Sequence, residues 1–165
     1  MKKHFKVVDL FASNGSTYKD KVFFNSTDVL KNDLRDGTFQ IETQVITINP
    51  NIQLDVFKLQ DWAFTADIVY LDPPHLKNGT TGIMAQKYTT LPLYWMEALN
   101  NMFHNASLIA PVTNLKWCDS NYLLTDVLKL AEPYFFVAYG NRRISKGGRE
   151  TTFITLIRKN KQNEY

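Results

Sequence analysis

The apolar run IVYL at residues 68–71 ends abruptly in Asp72, Pro73, Pro74 and His75. Each proline removes a backbone donor and fixes φ, and a residue ahead of a proline is driven to extended geometry, so positions 72–74 should form a stiff shelf. Its carbonyl oxygens would be free to accept hydrogen bonds. Three further acids close apolar runs upstream: Asp9 behind KVV, Asp33 behind DVLKN and Asp55 behind NIQL. On neighbouring strands of one sheet these ends lie side by side, giving a single cleft an anionic wall suited to a cationic or hydroxyl-rich ligand. No histidine stands near them as part of a metal set, so no metal is expected. An acid at the end of a second strand accepts from ribose hydroxyls, and Gly15, in the loop ASNGSTYKD, lets backbone approach a ligand closely. One such aspartate could equally cap a helix or turn; three in succession, followed by Asp-Pro-Pro-His, point to a shared site.

Basic residues gather late in the chain. Lys77, Lys87 and Lys116 follow the Asp-Pro-Pro-His segment or the next strand, and NRRISKGGRE brings Arg142, Arg143, Lys146 and Arg149 into what reads as one glycine-containing loop. Such a loop can grip phosphates, each contact adding salt-dependent affinity without sequence information; a solvated hairpin loop is the other reading. His4 and His104 take no role. Cys118 is the sole cysteine, which leaves no internal disulfide or cysteine zinc cluster and fits a reducing compartment.

Positioning these groups requires alternating elements, and the sequence alternates. FKVVDLF (5–11), DVLKND (28–33), NIQLDVF (51–57) and DIVYLDPP (67–74) read as successive strands with polar ends. Residues 91–104 have helical spacing at Leu93, Met96, Leu99 and Phe103; SLIAPVTNLKW (107–117) reads as a strand and NYLLTDVLKLAE (121–132) as an amphipathic helix. YFFVAYG (134–140) and TTFITLIRK (151–159) finish as two β-rich runs. The expected fold is α/β, an open and mostly parallel sheet with its ligand at the C-terminal edge and an antiparallel hairpin at the end. A length of 165 residues, 44% of them hydrophobic, suits one domain over 1–165. No apolar run reaches about 18 residues and no signal-peptide core follows MKK, so a soluble, intracellular protein with no membrane partner is expected. The net charge of +3 permits a polyanionic partner without demanding one.

VVDLFASNG followed by DIVYLDPPH resembles the two signature motifs of the S-adenosylmethionine-dependent N-methyltransferases of the Rossmann-like class, an F-x-G-x-G loop and a D-P-P-[YFWH] motif. Their order matches the groups that act on exocyclic amines of nucleic acids. With MAQKY (84–88), LKW (115–117) and YGNRR (139–143) also in order, most of the chain is similar to small methyltransferase-like proteins frequent in bacteriophages.

The resemblance implies a single Rossmann-like methyltransferase domain without a separate target-recognition domain, S-adenosylmethionine as cofactor, and methyl transfer to a base amino nitrogen of DNA or RNA, adenine N6 ahead of cytosine N4. Phe11, Ala12, Ser13, Asn14 and Gly15 would pass under the methionine part of the cofactor, in a cleft above Asp9. Asp33 would take the ribose hydroxyls, and Asp55, Val56 and Phe57 the adenine. Asp72, Pro73, Pro74 and His75 would form the catalytic loop. Ser13 stands where the motif most often has glycine, and His75 where a larger aromatic ring usually stacks on the target base. Lys87, Tyr88, Lys116, Trp117, Arg142 and Arg143 would face the nucleic acid, Tyr88 and Trp117 by stacking. Specificity would come from loops, a second copy in a homodimer or a partner subunit, and the setting would be the cytoplasm, a host's if phage-encoded. The alternative is the same fold binding nucleic acid or cofactor without transfer.

Overall fold

Two consecutive valines mark an interior strand of the sheet. In β1 (Lys3–Asp9) Val7 and Val8 project to opposite faces and both are buried, so this strand is covered on both sides. The computed structural model describes residues 1–13, 29–41, 43–73, 95–117, 123–144 and 150–160. β5 (Phe64–Leu71) pairs in parallel with β1 from Lys3↔Phe64 to Asp9↔Tyr70 and likewise buries Val69, Tyr70 and Leu71. β2 (Val29–Lys31) lies on the other side of β1, and β6 (Val112–Trp117) on the far side of β5, all parallel. β8 (Glu150–Arg158) runs antiparallel to β6 and to β7 (Phe135–Ile144), giving the order β2-β1-β5-β6-β8-β7. This is the expected α/β sheet with its C-terminal antiparallel hairpin, whose second strand is the one that joins the sheet.

α1 (Trp95–Ile109) presents Ala98, Leu99, Met102, Phe103 and Ala106 at helical spacing, all buried, against Val8, Leu10, Val69, Leu71 and Leu115. Truncating a ring so placed costs about 3–5 kcal/mol, which makes Phe103 a keystone of this layer. α2 (Leu124–Ala131) adds Val127 and Ala131 to the same core beside Phe135. On the opposite face Val7 and Tyr70 form a smaller cluster with Val29 and Ile68.

The elements depart from expectation in four places. NIQLDVF makes no strand: after an isolated parallel bridge Asn32↔Ile52 the chain turns at Asp55 to Phe57. Between β2 and that segment lies an unforeseen antiparallel pair, β3 (Gly37–Ile41) and β4 (Gln44–Ile48), bridged by the Thr38 and Thr47 hydroxyls at 3.2 Å. Helix α1 continues past His104 through Ser107 to Ile109, so the next strand begins only at Val112, and residues 91–94 lie outside the described ones. Finally β7 absorbs Asn141, Arg142 and Arg143, because register pairing with Phe153, Thr152 and Thr151 of β8 satisfies their backbone groups better than a loop would. Among the described residues no helix is long and apolar enough to cross a membrane.

Candidate active site

The strand order reverses between β1 and β5: β1 is followed outward by β2, β5 by β6 on the other side. Such a reversal opens a crevice at the carboxyl ends of the two strands, where ligands of open α/β sheets bind. Leu10 N–H still donates to the Tyr70 carbonyl at 3.2 Å; past that bond the backbone after β1 leaves the sheet, and β5 ends one residue on, at Leu71. Asp9 ends β1 and Asp72 follows β5, so the two carboxylates flank the opening.

Asp9 is fully buried. Its Oδ1 accepts the Phe11 N–H at 3.1 Å, while Oδ2 is buried with no hydrogen-bond partner among the described residues. Burial pushes its carboxyl up to about 8, the Phe11 N–H pulls the other way, and the charges of Asp72 and Asp33 push it further up. At neutral pH this side chain therefore holds a proton unless something cationic sits against it. Asp72 Oδ2 faces Lys116 Nζ at 3.9 Å, with both side chains partly exposed. Lys116, expected among the nucleic-acid contacts, is thus the nearest described cation to the candidate catalytic carboxylate.

Asparagines build the rest of the cradle. Asn32, buried at the end of β2, donates through Nδ2 to the carbonyls of Leu10 and Leu54, both at 3.0 Å, and accepts the Leu54 N–H at 2.7 Å. From α1, Asn105 Nδ2 donates to the carbonyls of Val56 at 3.1 Å and Lys58 at 2.7 Å, and Asn101 Nδ2 to that of Phe57 at 3.0 Å. These bonds hold residues 54–58 at the sheet edge without strand pairing, which is why that run needs no strand to be in place. Asp55 Oδ1 accepts the Phe57 N–H at 3.0 Å, and the Phe57 ring leans on Phe11 at 5.5 Å between centroids. Val56 and Phe57 are buried; Asp55 is half-buried at the surface of this patch.

Asp33 behaves otherwise than a ribose acceptor should. Its Oδ1 accepts the Arg35 backbone N–H at 3.0 Å and Nε at 2.9 Å; its Oδ2 accepts Arg35 Nη2 and the Ser13 N–H, both at 3.0 Å. A carboxylate has about four lone-pair sites, so a ribose would have to displace the arginine. The bond to Ser13 fixes the turn after β1, with Ala12 N–H donating to the Asn32 carbonyl at 2.9 Å. Ser13 adopts φ 47°, the left-handed region that a glycine occupies at no steric cost, which accounts physically for the glycine of the resembled motif.

Of the other expected site residues, Pro73 is buried directly behind Asp72. Trp117 is also buried, packed in the main core on the side of α1, so it is not presented as an exposed stacking surface. Arg142 and Arg143 lie on β7, not in a loop: Arg142 pairs with Glu150 at 2.5 Å, and Arg143 rests over the Phe153 ring at 5.4 Å. Asn14, Gly15, Pro74, His75, Lys87 and Tyr88 lie outside the described residues. Asn32, Arg35, Asn101 and Asn105 were not anticipated. The last two carried a signal, amides at i and i+4 on a helix whose neighbouring positions are apolar.

No protein-family model and no curated protein sequence matches the chain. Its likeness is three-dimensional. Superposition on TrmN from Thermus thermophilus covers 96% of this chain at a TM-score of 0.58 and 15% identity, although that is 45% of TrmN's length. A chain of the E. cuniculi Mtq2–Trm112 complex, responsible for the methylation of the eRF1 translation termination factor, superposes over 96% of this chain and 87% of its own with a TM-score of 0.54 and 16% identity. The 1,6-didemethyltoxoflavin-N1-methyltransferase of Burkholderia thailandensis, bound to 1,6-didemethyltoxoflavin and S-adenosylhomocysteine, does so over 96% and 72% at 0.54 and 13% identity. The chain has the fold of the Rossmann-like methyltransferases. Within that fold the crevice between β1 and β5, rimmed by Asp9, Asp72 and the asparagine-held segment, is the candidate active site.

Proposed function

We propose that the chain transfers a methyl group from S-adenosylmethionine to an exocyclic amino nitrogen of a nucleic-acid base, adenine N6 first and cytosine N4 second. The observation that carries this reading is the pair of carboxylates at the strand-order reversal, Asp9 with a buried oxygen lacking a partner among the described residues and Asp72 at the mouth of the same crevice. A buried carboxyl oxygen left over beneath an opening fits a cationic ligand. Asp55 has its second carboxylate oxygen to offer a hydroxyl or amino group, and Val56, Phe57 and Phe11 offer an apolar bed for a flat ring. When bound, S-adenosylmethionine would bring a methyl group already activated on a sulfonium. The remaining work falls to the protein. An amino nitrogen conjugated to a base ring is a weak nucleophile because its lone pair is delocalised. Accepting its two N–H bonds at the Asp72 carboxylate and the Pro73 carbonyl favours the pyramidal, reactive form, so orientation and electrostatics supply most of the rate. The proton leaves after the nitrogen has become cationic, with Asp72 as its first acceptor. His75 would stack on the base, and a base taken from a duplex or stacked strand must first be turned out. Residues 1–165 would act as one domain in the cytoplasm, with specificity from loops, a second copy or a partner.

Asp72→Ala is expected to lower methyl transfer at least about a hundredfold while sparing cofactor binding, since it removes an acceptor used only at the reacting nitrogen. Incubation with labelled cofactor and separate DNA and RNA pools, followed by nucleoside analysis, measures the first; calorimetric titration measures the second. Full transfer by Asp72→Ala sinks the mechanism. A binding-only reading is favoured by one observation, the complete engagement of Asp33 with Arg35 and Ser13. It predicts no transfer to any pool by the wild type.

A further inference from the structure

β7 ends the order β2-β1-β5-β6-β8-β7, and among the described residues no strand pairs with its outer side. Phe136, Val137, Tyr139 and Ile144 along it are 61%, 56%, 61% and 69% exposed. Folded proteins blunt a free edge with a short strand, a lysine or a proline, and β7 has none of these over its ten residues. Its irregularity is a bulge: Val137 opposes Leu156 and Tyr139 opposes Thr155, which leaves Ala138 as the extra residue. Pairing with alternate residues of β8 sorts the remaining side chains by face. Phe136, Tyr139, Asn141 and Arg143 oppose Ile157, Thr155, Phe153 and Thr151 and share one face; Phe135, Val137, Gly140, Arg142 and Ile144 share the other.

Each of these rows complements its own reverse. Turned antiparallel about Gly140, the first face sets Phe136 against Arg143 and Tyr139 against Asn141; the second sets Phe135 against Ile144 and Val137 against Arg142, with Gly140 opposite itself. The two bulges fall one on each side of the axis, so every side chain stays on its own face. Equivalent copies of Arg142 lie about 13 Å apart along the strands and those of Arg143 about 20 Å, beyond a screening length of about 8 Å, whereas parallel pairing would lay them side by side. Arg143, exposed and without an ion pair among the described residues, would meet the exposed Phe136 ring as a cation against a π face. A cleft of about 500 Å³ between α2 and β7, with Leu128, Glu132 and Val137 in its wall, lies where Ile144 of the second copy would arrive. Gly140 fits the same arrangement. A Cβ there would meet nothing within 4 Å, so the single chain gives no steric reason for a glycine, while at the axis two backbones pass directly opposite each other. We propose that β7 is a homodimer interface, two copies pairing edge to edge about a two-fold axis at Gly140 and sharing one continuous sheet. Such an axis closes the contact at two copies. The candidate crevices then open on opposite edges of the shared sheet, and the proposal does not depend on the methyl-transfer reading.

Sedimentation velocity of the full chain over a concentration series measures the association, and wild type is expected to be mostly dimeric at about 10 μM. Phe136→Lys sets a like charge against Arg143 of the second copy and should weaken the dimer at least about tenfold; Phe136→Glu sets an opposite charge there and should stay within about threefold of wild type. Loss of apolar surface alone would harm both equally. In a Cys118→Ser background, Gly140→Cys should form an interchain disulfide under mild oxidation, because directly opposed residues have Cα atoms about 4.5–5.5 Å apart, within disulfide reach. Ile144→Cys, whose mates would lie about 26 Å apart, should not. Thermal melts confirm that each variant is folded. A monomeric wild type, equal losses for the two Phe136 variants, no cross-link in Gly140→Cys, or equal cross-linking in the two cysteine variants overturns the proposal.

Discussion

A carboxyl group held neutral at the heart of a crevice makes the fold answer to pH. The folded protein keeps the Asp9 proton up to about pH 8, whereas the unfolded chain gives it up near about 4. Between those values the native state binds the extra proton, so stability falls as pH rises; the full contribution is present below about pH 4 and is gone once pH passes the folded value. Asp9→Asn preserves the acceptor for the Phe11 N–H and removes the titration. Urea unfolding of the two proteins at pH 5, 6 and 7 should show the wild type losing ground to the variant by about 1.4 kcal/mol per pH unit. Parallel pH profiles would mean that Asp9 is ionised in the native state. The left-handed Ser13 is a second stressed position at this scale, held by its N–H bond to Asp33.

Among elements, the segment after Ile52 shows how a site can be kept in place by side chains alone. Asn105→Ala would leave the buried carbonyl of Val56 and the neighbouring carbonyl of Lys58 without this donor, a loss of about 1–3 kcal/mol by urea unfolding, and should weaken S-adenosylmethionine binding in calorimetry more than Asn101→Ala, which frees one carbonyl. Equal binding by both variants would detach the clamp from the cofactor site. This segment also marks the limit of what the sequence discloses. Buried runs such as VVDL and IVYL are legible because a strand covered on both faces must be apolar throughout. The acid ends Asp9 and Asp72 follow from the same logic. NIQLDVF shares that pattern, yet its partners are amides on a helix more than forty residues later, a tertiary arrangement that no local periodicity encodes. Nor does a polar run with two arginines announce that it is a strand, because β7 draws its order from backbone pairing with β8 and not from its own burial. The Arg35 fork that fills Asp33 depends on one side-chain rotation two residues on, which composition cannot convey.

At the scale of the molecule, the sheet joins two kinds of neighbour. β7 and β8 are separated by five residues, 145–149, while the pairing of Lys3 with Phe64 spans roughly sixty, and closing a longer loop costs more chain entropy before any contact rewards it. The C-terminal half should therefore gain order first, and β1 should dock afterwards between β2 and β5. Pulsed hydrogen exchange during refolding is expected to protect the amides of β8 and β6 ahead of those of β1; simultaneous protection would contradict this order. The candidate crevice exists only once β1 has met β5, since Asp9 ends the one strand and Asp72 follows the other. During synthesis the order of arrival is the reverse of the order of need. β1 leaves the ribosome before β5 and must wait, with VVDLF uncovered, until β5 has been made, so the stretch that will line the candidate crevice spends its early life as an unpaired apolar strand, the kind of segment that calls for a chaperone.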